Sequence, residues 1–432
     1  MTLPPLLIVL LAVPVLLAGE GVVRRVTLLA RMNIPAPVVG GLAVAVFVLA
    51  LNLSGWIAIN FASQVSTAWW TWLVTIEPEW AMRPAKSLSV PLLVVFFVCV
   101  GLNSTWAVVR KGSVQVVLFL GVATLLGVLQ NFVGIGLAKL LGLHPLMGVL
   151  CGSLTMTGGH ATTLGFAPLF EAGGLNNAAV IGAAMATMGL VVGSLMGGPV
   201  GGWLIRRNSL KSDAPPEFRA VATPVATPGV GHDLRGLRQH GAFVFKHLLL
   251  VLACVKAGAW VSYVLPKATA LFIDGGVNFP IHIGAMIFAT VVRNVVDVLA
   301  PGWIRTDVVA AIGSVFLAFF LTIAMMSLNL TELAHAALPM VIILAVQVVF
   351  MALFAVWVTF RIMGRDYEAA QMAAGHCGFG IGNTANAVAS MKSLVERYGP
   401  APRAFLVIPL VGGMLGDLTN AVNVTFFLKW LR

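Results

Sequence analysis

The chain alternates between long apolar runs and short polar joints. Residues 32–76, 87–109, 112–138, 172–205, 308–331 and 333–360 contain no Asp, Glu, Lys or Arg. Each run is longer than the roughly 20 residues a helix needs to cross the hydrocarbon core of a bilayer. The period-two alternation of outer-membrane strands, about 10 residues at a time, does not occur. The pattern predicts an all-α polytopic membrane protein with about ten spans, near 3–19, 34–57, 88–109, 113–136, 177–205, 242–265, 279–299, 307–330, 336–362 and 403–429. Leu3–Ala18 has the length of a signal-peptide core, but Arg24, Arg25 and Arg31 follow it and no basic residue precedes it, so it is read as the first span.

Two glycine-rich polar stretches interrupt this apolar background, one in each half. They are Gly152-Ser-Leu-Thr-Met-Thr-Gly-Gly-His-Ala-Thr-Thr163 and Gly375-His-Cys-Gly-Phe-Gly-Ile-Gly-Asn-Thr-Ala-Asn386. Unpaired N–H and C=O groups cost several kcal/mol in hydrocarbon, so irregular backbone persists there only when protein shields it or it lines a wet cavity. Paired breaks in corresponding places of two halves are the sequence signature of a transporter's binding site.

Composition sharpens the class. Of 432 residues, 59% are hydrophobic and 9% charged, against about 25% charged in a soluble domain. The net charge of +11 suits basic cytoplasmic loops, and charges this sparse argue against a nucleic-acid partner. Cys99, Cys151, Cys254 and Cys377 have neither metal-site nor disulfide spacing. Lys and Arg in alternate loops number seventeen on one side and six on the other. That bias puts the hydrophilic 206–241 linker in the cytoplasm and both termini outside. With five spans in each half (1–205 and 242–432), the second half must be inverted relative to the first. Weak self-similarity agrees: Asn33-Ile-Pro-Ala-Pro-Val-Val-Gly-Gly with Asn278-Phe-Pro-Ile-His-Ile-Gly-Ala, and Phe97-Val-Cys-Val-Gly-Leu-Asn-Ser-Thr-Trp with Ala324-Met-Met-Ser-Leu-Asn-Leu-Thr-Glu. Trp69, Trp70, Trp72 and Trp80 predict an interfacial helix.

Within the breaks, Gly158, Gly159, Gly380 and Gly382 free the backbone for close approach of a ligand. A helix interrupted at depth offers N–H groups to an anion at one end and carbonyls to a cation at the other. Thr155, Thr157, Thr162 and Thr163, then Asn383, Thr384 and Asn386, add hard oxygens and amide donors. The bland alternative, helix packing through small residues, fits Gly193-xxx-Gly197. His160 is either a donor to substrate or a satisfied structural histidine. Asp417 and Asn420 share a helix face and, with Thr155, form the candidate Na⁺ ligands; Asp417 paired with Arg293 is the structural alternative. Arg293 and Asp297, at i and i+4, read as mutually neutralising. Lys246 reads as snorkelling, and Lys256 as a deeper lysine without an evident partner.

Several ordered motifs carry a family resemblance: Asn33-Ile-Pro-Ala-Pro-Val-Val-Gly-Gly, Val100-Gly-Leu-Asn, Leu129-Gln-Asn-Phe-Val-Gly, Leu154-Thr-Met-Thr-Gly-Gly-His-Ala, Arg365-Asp-Tyr-Glu-Ala-Ala, Ala374-Gly-His-Cys-Gly-Phe-Gly-Ile-Gly, Glu396-Arg-Tyr-Gly-Pro-Ala-Pro and Ile408-Pro-Leu-Val-Gly. Over nearly its whole length the chain resembles the sodium/glutamate symporter family. The resemblance implies an inverted repeat with a re-entrant hairpin before the last span of each half, near 145–168 and 366–391. It also implies Na⁺-driven import of L-glutamate across the bacterial inner membrane, by a homodimer with an elevator-type motion, and no covalent cofactor. Substrate would sit where the two hairpin tips meet, among Thr157, Gly158, Gly159, His160, Thr162, Thr163, Gly380, Gly382, Asn383, Thr384 and Asn386. Within those tips the family's Gly-Gly-His-Gly ends here in Ala161, and its Ala-Thr-Pro reads Asn383-Thr384-Ala385. The runner-up expectation is a symporter for another small carboxylate or amino acid, or one coupled to H⁺. An intramembrane enzyme is the remote one, because Ser153 and His160 come with no catalytic motif.

Overall fold

The computed structural model describes the chain except residues 1, 32–33, 55–58, 63, 66–67, 77–85, 106–112, 213–240, 270–280, 329, 331–332 and 432. Apart from two pairings of two residues each (Thr2–Leu3 with Asn60–Phe61, Gln64–Val65 with Lys86–Ser87), the described secondary structure is helical. In chain order the main helices are α1 (Pro5–Arg25), α2 (Ala36–Ser54), α3 (Val90–Asn103), α4 (Ser113–Leu140), α5 (Pro145–Val149), α6 (Gly159–Ala172) and α7 (Ala178–Arg207). After the linker come α8 (Gly241–Thr269), α9 (Ile281–Leu299), α10 (Thr306–Met326), α11 (Leu333–Phe354), α12 (Tyr367–Ile381), α13 (Thr384–Tyr398), α14 (Pro402–Leu410) and α15 (Gly416–Trp430).

Eight of the described helices are long and apolar enough to cross a membrane, and α14 with α15, bent by 41°, makes a ninth. The expected span over 88–109 is represented by the 14-residue α3. At 1.5 Å per residue that is about 21 Å, short of a core of about 30 Å. Most of the 206–241 linker, Trp80, Asn33 and Asn278 lie outside the described residues, as do residues 77–85 of the expected interfacial segment.

The chain divides into two units. The first comprises residues 1–27, 35–106 and 228–331. In it α3 packs on α9 and α10, α8 on α9, and α2 on α1 and α10. Its core joins Val94, Val98 and Leu102 of α3 to Val251 and Val255 of α8, Ala285 and Ala289 of α9, and Val309 and Ile312 of α10. Helix α3 ends early, and its last carbonyls need partners. The buried Arg293 supplies one, donating to the Leu102 carbonyl at 3.2 Å and the Ile304 carbonyl at 3.5 Å while its Nε meets Asp297 at 2.8 Å. Asn294 donates to the Ser104 carbonyl at 3.1 Å. Lys256, which the sequence left without a partner, donates to the Thr75 carbonyl at 2.7 Å and the Trp72 carbonyl at 3.0 Å, with its ammonium 3.7 Å above the Trp72 ring. Lys246 lies over Trp303 in the same manner. These cations hold helix ends and aromatic anchors in place.

The second unit comprises residues 28–34, 107–227 and 332–432. In it α4 packs on α5, α11 and α15, while α7 packs on α6, α12 and α13. Both glycine-rich stretches belong to this unit.

Removing Arg293 takes the donor from the α3 carbonyls and the cation from the half-buried Asp297 carboxylate, a loss on the order of 1–3 kcal/mol. Arg293→Met is therefore expected to lower the melting temperature of the detergent-purified protein well below that of Asp297→Asn, which leaves the guanidinium on its carbonyls. Equal, small shifts in both variants would remove this role.

Candidate functional site

The first break begins where α5 passes into a π-helical turn at Leu150–Leu154, with Gly152 outside helical geometry at φ −95° and ψ −132°. The chain re-enters a helix at Gly159, whose φ is +64°, a conformation most side chains avoid. The backbone freed by this break is satisfied from neighbouring helices. Asn131 of α4 accepts from the Ser153 N–H at 2.9 Å, and Asn420 of α15 donates to the Ser153 carbonyl at 2.9 Å. Asn423 reaches the Ser153 hydroxyl at 3.3 Å. Thr163 donates to the Leu154 carbonyl at 3.1 Å. Gly134 and Gly148 let α4 and α5 meet backbone to backbone, where an added Cβ on either would collide with the other chain segment.

The second break lies between α12 and α13. Gly382 leaves the helix at φ −127° and ψ −103°, and Asn383 caps α13 by accepting from the Asn386 N–H at 2.8 Å. A Cβ on Gly382 would stand 2.5 Å from Asn386 Nδ2 and 2.7 Å from the Gly378 carbonyl oxygen. At the base of this hairpin Asp366 caps α12 through the Ala369 N–H at 2.7 Å and takes both of its oxygens to Arg403, at 2.6 and 2.7 Å. Glu368 accepts from the Ala404 N–H at 2.8 Å. The acidic residues of Arg365-Asp-Tyr-Glu thus clasp the start of α14.

One side chain joins the two breaks. The buried Gln130 of α4 donates to the Gly380 carbonyl at 2.8 Å, and its Oε1 accepts from the Thr157 hydroxyl at 3.1 Å. Gln347 of α11 donates to the Gln130 carbonyl at 2.8 Å. Helix α7 abuts both breaks through small residues: a Cβ on Gly189 would lie 2.5 Å from the Ile381 carbonyl oxygen and 3.3 Å from Met156. Around each break most residues are buried, but Thr157-Gly158-Gly159 and Asn383-Thr384-Ala385 remain partly exposed. These open tips are the N-terminal entries of α6 and α13. Their first N–H groups lack intrahelical acceptors, and no side chain caps α6. Residues 145–172 and 371–391 contain no Lys or Arg, so the donors at the tips are neutral: backbone N–H groups together with side chains such as Asn383 and Thr384. Among the described residues no three His, Cys, Asp or Glu gather as a metal cluster.

The sodium/glutamate symporter profile matches residues 2–76 and 64–400. The sodium/glutamate symporters of Escherichia coli (strain K12) and Shigella flexneri are each 38% identical over 415 residues, 96% of this chain and 94% of theirs. That of Haemophilus influenzae (strain ATCC 51907) is 36% identical over 420 residues, 95% of this chain and 94% of its own. The chain belongs to the sodium/glutamate symporter family. No solved structure matches it.

In this family member the residues singled out in the sequence divide into two groups. Thr157, Gly158, Gly159, Asn383 and Thr384 are the partly open tips. The others are turned to structure. His160 is buried with Nε2 2.9 Å from the Thr187 hydroxyl. The same hydroxyl lies 2.8 Å from the Ala183 carbonyl, so Thr187 ties the His160 ring to the α7 backbone. Thr162 is buried, and Thr163 also donates to the Gly159 carbonyl at 2.6 Å. Asn386 donates to the Leu190 carbonyl of α7 at 2.9 Å, and Gly380 offers its carbonyl to Gln130. Of the candidate Na⁺ ligands, Asn420 lies against the first break, and Thr155 is buried with its hydroxyl unpartnered. Asp417 occupies the first turn of α15. Arg293 pairs with Asp297 rather than with Asp417. Gly193 and Gly197 are packing positions against Gly382 and Ser390.

Sequence reasoning assigned no role to Gln130, Asn131 or Gln347. The available signal was three amides inside apolar helices whose one Lys, Arg, Asp or Glu is Lys139 in the last turn of α4, where polar groups are costly. Gln130→Leu is expected to cut substrate uptake roughly tenfold or more, the equivalent of about 1.4 kcal/mol, with membrane insertion and monodispersity retained. Gln130→Glu keeps the acceptor for Thr157 and loses the donor to Gly380, so it should fall between wild type and the leucine variant. Wild-type uptake by the leucine variant would show that the bridge is dispensable.

Proposed function

We propose that the chain is a Na⁺-coupled secondary symporter that imports L-glutamate across the bacterial inner membrane. The observation that carries this reading is the Gln130 bridge, which ties two broken glycine-rich segments together within one unit and leaves a partly open helix entry at each. A dicarboxylic amino acid matches two such entries, because each supplies N–H groups and the positive end of a helix dipole. Full-length relatives named as sodium/glutamate symporters support the same substrate and ion.

In this reading the breaks are the tips of re-entrant hairpins at 145–168 and 366–391, in two inverted repeats, 1–205 and 242–432. The 206–241 linker is cytoplasmic and both termini lie outside. The working unit is a homodimer, and the site-bearing unit of each protomer carries substrate by an elevator-type motion. Substrate is held at Thr157–Thr163 and Gly380–Asn386, with backbone N–H groups on the carboxylates. The buried members of that set, His160, Thr162, Thr163 and Asn386, keep the tips in shape. Na⁺ is assigned to the first break beside α15, the neighbourhood of Thr155, Asp417 and Asn420.

Purified protein in proteoliposomes should accumulate L-glutamate when an inward Na⁺ gradient is imposed, and not when choline replaces Na⁺. Uptake that ignores Na⁺ and follows a proton gradient would overturn the coupling. The tips provide a second check. Gly159→Val forces a β-branched residue to φ +64°, and Gly382→Val drives a side chain into Asn386. Both are expected to abolish uptake, with Gly159→Val retaining expression because its surroundings are open. Normal uptake by both variants would put the substrate elsewhere.

A further inference from the structure

Between α4, the first break and α15 lies a cavity of about 10 Å³, the room one water-sized sphere occupies. Its polar lining is Thr124, Thr157, Thr419, Asn420 and Asn423, and Gly127 forms part of its wall. The hydrogen bonds around it have a consistent sense. Thr124 donates its hydroxyl proton to the Leu120 carbonyl at 2.8 Å, Thr157 to Gln130 Oε1 at 3.1 Å, and Thr419 to the Gly416 carbonyl at 3.2 Å. Each hydroxyl is therefore left with lone pairs as its free valence. Asn420 and Asn423 both point an amide nitrogen at Ser153. That arrangement fixes the amide of Asn420, because a flipped oxygen would face the Ser153 carbonyl. Its Oδ1 is buried and has no hydrogen-bond partner. Asn420 itself is 4% exposed. A Cβ built on Gly127, in the cavity wall, would lie 3.6 Å from that oxygen.

We propose that this cavity is the seat of the coupling cation, built from the neutral oxygens of Thr124, Thr157, Thr419 and Asn420. The inference rests on the symport reading and names its ion site. A small set of oxygen acceptors with hydroxyl protons directed elsewhere selects a hard cation. Among the described residues the lining holds no carboxylate, which favours a monovalent over a divalent cation, because less charge is then left uncompensated by the lining. Of the three residues that mark the Na⁺ neighbourhood in the functional reading, Asn420 lines the cavity, while Asp417 and Thr155 stand outside the lining. The seat is also linked to the substrate tips. Thr157, one of its oxygens, is bonded to Gln130, which in turn holds the Gly380 carbonyl. An ion that fixes Thr157 thereby orders the amide that joins both breaks, which ties substrate affinity to ion occupancy.

Gly127→Ala tests the seat directly. The added methyl would lie 3.2 Å from Asn423 Nδ2 and 3.5 Å from the Ser153 Cβ, close enough to occupy the cavity wall with only a small adjustment. Thr419→Val removes one oxygen at nearly constant volume and serves if the alanine variant folds poorly. Two readouts on the full-length protein are compared across NaCl at constant ionic strength with choline chloride: melting temperature without glutamate, and initial glutamate uptake in proteoliposomes. Half-effective Na⁺ is expected to rise tenfold or more in Gly127→Ala and in the same direction in Thr419→Val, by both readouts, with glutamate KM at saturating Na⁺ little changed. Ca²⁺ at matched concentration should not substitute. Unchanged half-effective Na⁺ in both variants, with Na⁺-dependent wild-type uptake, would overturn the seat and leave the symport reading standing. A wild type indifferent to Na⁺ in both readouts would overturn both.

Discussion

The structure depends on one constraint: a chain that leaves the helix inside an apolar slab must have every freed backbone group met by protein. In this symporter-family chain the obligation falls on a few amides. Asn131, Asn420 and Asn423 satisfy Ser153 from two helices, and Gln130 meets Gly380 while receiving Thr157. Side-chain hydrogen bonds between membrane helices contribute about 0.6 kcal/mol each on average, so no single one holds the break. Together they surround one segment from several sides, and that convergence keeps the glycine-rich backbone in a defined irregular path.

Satisfaction by amides rather than by charges has a chemical consequence. Asparagine and glutamine lend a donor and an acceptor without introducing net charge. In the proposed reading this leaves the N–H groups at the entries of α6 and α13 for a carboxylate and the oxygens near α15 for a cation, without a competing ion pair among the bridging amides. The charged residues that do enter the second unit's hairpin lie at its base, where Asp366 and Arg403 hold each other and Glu368 receives backbone donors. The first unit uses its cations differently: Arg293 and Lys256 end on backbone carbonyls and cover the ends of short elements.

Glycine has two distinct uses here. At Gly159 it permits a left-handed backbone in open surroundings. Along α7, Gly189, Gly193 and Gly197 remove side chains so that the second hairpin can lie directly against the helix. The first use shapes the partly open tip of the first break. The other brings the second hairpin within reach of the helix that supports both breaks.

Much of this was legible in the residues. Uncharged runs longer than a bilayer core determined the membrane class, and the paired glycine-rich interruptions located the breaks, because hydrophobicity and backbone cost are local properties. The i, i+4 pairing of Arg293 with Asp297 was equally local and is present. What the sequence could not determine was partnership across distance. Lys256 lacked a visible partner because its acceptors are carbonyls of residues 72 and 75, and every residue carries a carbonyl. His160 remained open between two roles until Thr187, 27 residues away, was found to hold it. Gln130 was silent for the same reason: its meaning lies in Gly380, 250 residues away along the chain. Whether a polar side chain in an apolar helix is a ligand or a fastener depends on which of its atoms neighbouring helices have already satisfied, and tertiary packing alone decides that.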